Sequence, residues 1–154
     1  MINTIALRSG VLGVCLLLVS SSFAQKAKPE KNKFLEGKKY DVKFTEVKKT
    51  GAAKPLPSLI IIKGGQIQCD LMEEKLTAPS MPYKVTLDTT YTEDESDVHK
   101  LSFTSEFTEE KTSYKWDATI TDYEIEGTFI MLKGGVEKKR YDFVGQEKEG
   151  KKKK

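Results

Sequence analysis

The chain has one histidine, one tryptophan and two cysteines in 154 residues. A zinc site needs several nitrogen or thiolate ligands, and beyond His99 only Cys69 is available to supply one, so no metal centre is expected. Serines are plentiful, but none sits in a Gly-x-Ser-x-Gly turn, and the sequence offers His99 no evident acid partner for hydrolytic catalysis. Cys69 has no basic neighbour to lower its pKa, which a nucleophilic thiol requires. The paired carboxylates Glu124 and Glu126 read as the solvent face of a strand. The chain is therefore expected to be no enzyme and to carry no cofactor. Amphipathic helices are missing too: the best candidate, Leu71 to Leu76, is too short to be more than a turn.

Long apolar runs are also lacking. Val11 to Val19 falls well short of the roughly 20 residues of a membrane-spanning helix, so no transmembrane segment is expected in the mature chain. Preceded by Arg8 and followed by Ser22-Phe23-Ala24, the run instead reads as a secretory signal peptide over residues 1–24. Cys15 does not suit a lipoprotein site, because Val14 stands where a small residue is needed and Leu16 to Val19 prolong the apolar run. Cleavage after Ala24 exports the chain to the periplasm or the extracellular space. It also leaves Cys69 alone, without a partner for an internal disulfide, so stability must rest on a hydrophobic core in one compact domain.

Charge is unevenly spread. Residues 25–33 carry four lysines against Glu30, and 147–154 five lysines against two glutamates, whereas 34–146 hold 16 basic and 20 acidic residues. The domain reading is thus a basic disordered linker over 25–33, a mildly acidic β-barrel domain over 34–146 and a lysine-rich tail over 147–154. Such tails suit weak contact with anionic surfaces but lack the aromatics of a nucleic-acid binder, and nucleic acid is not an expected partner.

What remains is alternation. Tyr40, Val42 and Phe44 interleave with polar residues, as do Tyr114, Trp116, Ala118 and Ile120, then Ile125, Gly127, Phe129 and Met131. Leu101, Phe103 and Phe107 continue the pattern, and so do Tyr141, Phe143 and Gly145. With runs at 58–62, 66–71 and 83–90, the period of two predicts eight strands. The segments Leu59 to Gly65 and Phe129 to Gly135 each end in Lys-Gly-Gly. A phosphate loop needs spaced glycines, a lysine after them and a following helix. Here the lysine comes first and a strand follows, so both read as tight hairpin turns.

The other links are equally short, at Thr121-Asp122, Thr108 to Thr112 and Thr92 to Asp97. Sequential antiparallel strands with short links make a meander, and closing it removes exposed edges. The expected fold is all-β: an eight-stranded antiparallel up-and-down meander barrel, with Gly127 and Gly145 suited to its bending. Gly37-Lys38-Lys39-Tyr40 before the first strand and Thr121-Asp122-Tyr123 at the later turn resemble the lipocalins and their calycin relatives. That resemblance implies a carrier holding a small, largely apolar ligand in the barrel interior or mouth.

Tyr40, Phe44, Phe103, Trp116, Phe129, Tyr141 and Phe143 are the inward candidates to line such a site. The same bulky residues would serve equally to fill the barrel, giving the alternative of a non-enzymatic envelope structural or interaction protein. Cys69, in phase with Ile67 and Leu71, should be a small buried hydrophobe. Glu93 to Asp97 offers carboxylates to a cation but lacks the glycine and ligand spacing of a calcium loop, and reads as a solvated hairpin.

Overall fold

Each strand has a chemical reason to stop. In a computed structural model describing residues 31–51 and 53–148, β2 (Leu56–Lys63) meets β3 (Gln66–Cys69) through Gly64 and Gly65, with φ of 66° and 75°. β7 (Glu124–Lys133) meets β8 (Val136–Glu147) through Gly134 and Gly135 at 60° and 78°. Two successive positive φ angles are what a two-residue hairpin requires. The predicted leader (1–24), most of the predicted linker and the lysines after Lys148 lie outside the described residues.

β1 (Lys39–Glu46), β4 (Met81–Glu93), β5 (Ser96–Glu109) and β6 (Thr112–Thr121) complete eight antiparallel strands, each paired with its sequence neighbours. β8 returns to pair with β1 from Tyr40↔Glu147 to Glu46↔Tyr141, which closes the barrel. The expected meander is therefore the observed one. Along β6, Tyr114, Trp116, Ala118 and Ile120 are buried while Lys115 and Asp117 face water, as a period of two dictates.

One element departs from expectation. The sequence predicts a strand from Gln66 to Leu71 with no more than a turn beyond, but the strand ends at Cys69 and a seven-residue helix α1 (Asp70–Leu76) follows. So short a helix is not stable alone. It is held by burial of Leu71 and Met72, by the Ser58 hydroxyl accepting the Leu71 N–H at 3.1 Å, and by the Tyr114 hydroxyl donating to the Leu76 carbonyl at 3.0 Å. Thr77, at φ 53°, ends it with its N–H on the Glu73 carbonyl. The helix sits on the upper rim, where β3 leaves the barrel and β4 enters it.

The lower rim, where β1 begins, is closed by the turn before it. Asn32 Oδ1 accepts the N–H groups of Phe34 and Leu35 at 2.8 and 3.3 Å, and Leu35 is wholly buried. Asn32 fell within the expected linker, and Glu147 within the expected tail. Asn32 is bonded into the fold, Glu147 is the last residue of β8, and the Lys148 N–H still reaches the Lys39 carbonyl at 2.8 Å.

Gly127 and Gly145 are the two glycines that packing, rather than φ, demands. A Cβ on Gly127 would strike the Asp117 carbonyl and come within 2.8 Å of the Ala118 Cα. On Gly145 it would come within 2.7 Å of the Val42 Cα, across the closing β1–β8 pair. Neither backbone can yield without opening the barrel. Gly127→Ala should thus lower stability by about 3 kcal/mol or more in urea unfolding, while Gly51→Ala, with open space around it but a positive φ, should lose only about 1–2 kcal/mol.

Candidate functional site

The seven inward candidates all lie in the barrel interior, between 0 and 4% exposed. Alternation aims them there, and closure brings together residues far apart in sequence. The Phe44 ring lies 6.1 Å from Trp116, 6.4 Å from Tyr141 and 5.1 Å from Phe143. Trp116 in turn meets Phe129 edge-on at 4.7 Å and Phe143 at 5.6 Å. These are the spacings of rings packed directly on one another. Phe103 sits apart from this group against Tyr83 at 5.7 Å, and Tyr114 stacks on Phe129 at 6.2 Å. Tyr83 and Tyr114 were not among the predicted site residues, although Tyr114 belongs to the same alternating series as Trp116.

Tyr40 is the polar exception within this interior. Its hydroxyl is buried and has no hydrogen-bond partner among the described residues. Burial, and secondarily the Glu147 carboxylate, push its pKa well above the ordinary phenol range, so it stays protonated. Burial and Glu46 likewise raise Tyr141. Ser105, the buried polar residue of β5, is satisfied by donating to the Pro82 carbonyl at 2.7 Å.

Three depressions lie on the outside of the barrel. A groove of about 720 Å³ crosses β6, β7, β8 and β1 near the lower rim, walled by Asp41, Glu126 and Lys148. A second, of about 780 Å³, lies beside the exposed Tyr123, and a third of about 410 Å³ lies over β5, β6 and β7 between Glu106 and Arg140. All three are open and charged.

His99 stands near the start of β5 with its ring edge-on to Phe34 at 4.1 Å. It does have an acid partner: Nε2 lies 2.7 Å from Asp88 Oδ1, and Asn32 Nδ2 donates to the other Asp88 oxygen at 3.2 Å. The pair was hidden by a β-bulge. The register between β4 and β5 skips a residue between Val85 and Leu87, which turns Leu87 outward and carries Asp88 to the His99 face. The arrangement is a strap holding the Asn32 turn against β4 and β5.

Cys69 is buried, 3.5 Å from the Ser58 hydroxyl, and burial raises its pKa. The acidic segment Glu93 to Asp97 is a two-residue turn at Asp94-Glu95 with exposed carboxylates, and no cluster of three metal-ligating side chains occurs among the described residues. The first Lys-Gly-Gly turn does bind an anion, but one of the chain's own: Glu36 accepts the N–H groups of Gly64 at 2.7 Å and Gly65 at 3.3 Å, which lowers its pKa. No protein-family model matches the chain, and neither a curated protein nor a solved structure is detectably similar to it.

Two outcomes follow from these contacts. The His99 hydrogen bond, aided by Asn32 and opposed by desolvation, holds the Asp88 carboxyl below its usual range. Its contribution is therefore present above the ordinary carboxylate pKa and lost as pH falls through the lowered value. Asp88→Asn should be less stable than the parent near neutrality, with the gap closing in acid, as pH-dependent urea titrations would register. Cys69 should react slowly with a thiol reagent in the native protein and rapidly in denaturant; fast native labelling would show the thiol to be accessible.

Proposed function

We propose that this is an exported, non-enzymatic protein of lipocalin-like build whose barrel is filled by its own side chains and which works through its outer surface, as a structural or interaction protein. The supporting observation is the direct packing of Phe44, Trp116, Phe129, Tyr141 and Phe143 on one another, at ring separations from 4.7 to 6.4 Å. An eight-stranded barrel has room either for its own side chains or for one small ligand, and rings packed on one another favour the filled case. The lipocalin-like reading is supported by two short segments. Gly37, at φ 86°, leads into β1 and Tyr40, and Asp122-Tyr123 forms the β6–β7 turn. Export to the periplasm or extracellular space rests on the leader-like residues 1–24, and weak attachment to anionic surfaces on the lysines at either end.

A second reading, the carrier of a small and largely apolar ligand, is favoured by the Tyr40 hydroxyl. A buried donor without a partner is costly, and a ligand oxygen would satisfy it. Trp116 separates the two readings, since it touches both Phe44 and Phe129 at the centre of the cluster. In a filled barrel, Trp116→Ala should lower stability by about 3–5 kcal/mol, and wild-type emission should be blue-shifted and indifferent to fatty acids and aromatic probes. A smaller loss together with a saturable emission change would favour the carrier instead.

A further inference from the structure

Closure removes the edges of a barrel only where every strand is paired on both sides, and β4 is not. β3 meets it at Gln66↔Pro82 and Ile67↔Met81 and then ends in the Lys63 to Gln66 hairpin, whereas β4 pairs with β5 as far as Glu93. From Lys84 onward, among the described residues, the side of β4 facing away from β5 has no strand against it. Beyond the bulge β4 is exposed from Thr86 to Glu93, and its end, with Ser96 to His99 of β5, extends past the last β5–β6 pair at Lys100↔Thr121 as an arm.

The turn determines which main-chain groups look outward. With the two-residue turn at Asp94-Glu95, Glu93 and Ser96 are the hydrogen-bonded closing pair, so Leu87, Thr89 and Tyr91 also bond to β5. The N–H and C=O groups of Asp88, Thr90 and Thr92 then point to the open edge. The same alternation on β5 is visible at His99, whose N–H and C=O bond to Asp122 on the side away from β4. Proteins usually protect such an edge with proline, lysine or a bulge. Here Lys84 and the bulge stand only at the base of the edge, and beyond them Thr89, Thr90, Tyr91 and Thr92, all strong strand formers, carry no such device.

We infer that this edge pairs, antiparallel and centred on Thr89, with the same edge of a second copy of the chain, so that two arms form one four-stranded sheet. Three features select a second copy as the occupant. A two-fold perpendicular to the sheet places residue i opposite residue 178 − i, so Leu87 falls opposite Tyr91 of the other copy, twice over. These two residues, 42% and 40% exposed, are the large exposed hydrophobics of the arm and share its outer face. In this register they form the non-hydrogen-bonded pairs, where side chains approach most closely and aliphatic–aromatic contacts stabilise best. Asp88 and Thr90 simultaneously bring their free main-chain groups to Thr90 and Asp88 of the other strand. Finally, the antiparallel arrangement lays the acidic tip of each arm, Glu93 to Glu95, beside the exposed Lys84 at the base of the other, giving the charge complementarity that a parallel pairing would lose.

The inference is independent of whether the barrel interior is filled or holds a ligand. Sedimentation velocity on the mature full-length chain, from dilute to near-millimolar concentration, should show a reversible monomer–dimer equilibrium. Thr90→Pro removes an N–H that faces only the open edge, a position where a strand tolerates proline. It should leave the circular dichroism and Trp116 emission of the barrel unchanged while shifting the equilibrium to monomer. Under mild oxidation Thr89→Cys, which meets itself across the two-fold, should give a disulfide-linked dimer, and Glu93→Cys, equally exposed but opposite Val85, should not. A wild-type chain that stays monomeric throughout overturns the inference. So does a dimer that survives Thr90→Pro with the barrel folded, or cross-linking at position 93 as ready as at 89.

Discussion

The pairing of β8 with β1 is the constraint on which the other features depend. It joins residues about a hundred positions apart and tolerates no side chain at Gly145, whose Cα side faces the Val42 backbone. Because it holds, Phe44 on the first strand and Tyr141 and Phe143 on the last share one interior with Trp116 and Phe129. Opening that pair would expose the largest rings of the core at once and leave two long apolar-faced edges. Long-range closure of this kind is also slow to form, since its loop entropy is lost before its contacts are gained.

Electrostatics reinforces closure from outside. Lys38 pairs with Glu147 at the lower rim, and Glu46 with Lys139 at the upper, so both ends of the β1–β8 seam carry a cross-strand ion pair. Lys139 lowers the Glu46 pKa and Glu46 raises that of Lys139. Exposed pairs of this sort contribute little stability singly, but they fix register at the join, where a slip by one residue would turn Tyr40, Val42 and Phe44 outward. The Glu36 carboxylate in the Gly64-Gly65 turn acts similarly, tying the N-terminal turn to the β2–β3 hairpin.

The alternation of β6, β7 and β8 made their inward residues legible, because a strand half-buried in a regular barrel leaves its period in the sequence. Gly-Gly after a strand likewise announced two turns. The helix α1 was not legible: Leu71 to Leu76 lacks the length to be helical alone, and its supports, Ser58 and Tyr114, come from strands remote in sequence. Nor could the His99–Asp88 pair be read, since counting by twos from Tyr83 puts Leu87 inside and Asp88 outside. Only the bulge reverses this, and a bulge is a property of the pairing, invisible in either strand alone. Asn32 looked like linker because its neighbours are lysines, while its role rests on contacts with Tyr83 and Asp88, more than fifty residues away.

The brevity of β3 gives the ring a mechanical weak line. Four residues link it to β2 and only two pairs link it to β4, whereas β5, β6, β7 and β8 are zipped along ten positions at each join. Fluctuations that breach the wall should therefore concentrate there, beneath α1, and amide protons of Gln66 to Cys69 should exchange before those of β6. The helix caps the upper end of this short strand, packing on β2 and β3 with Leu71 and Met72 buried.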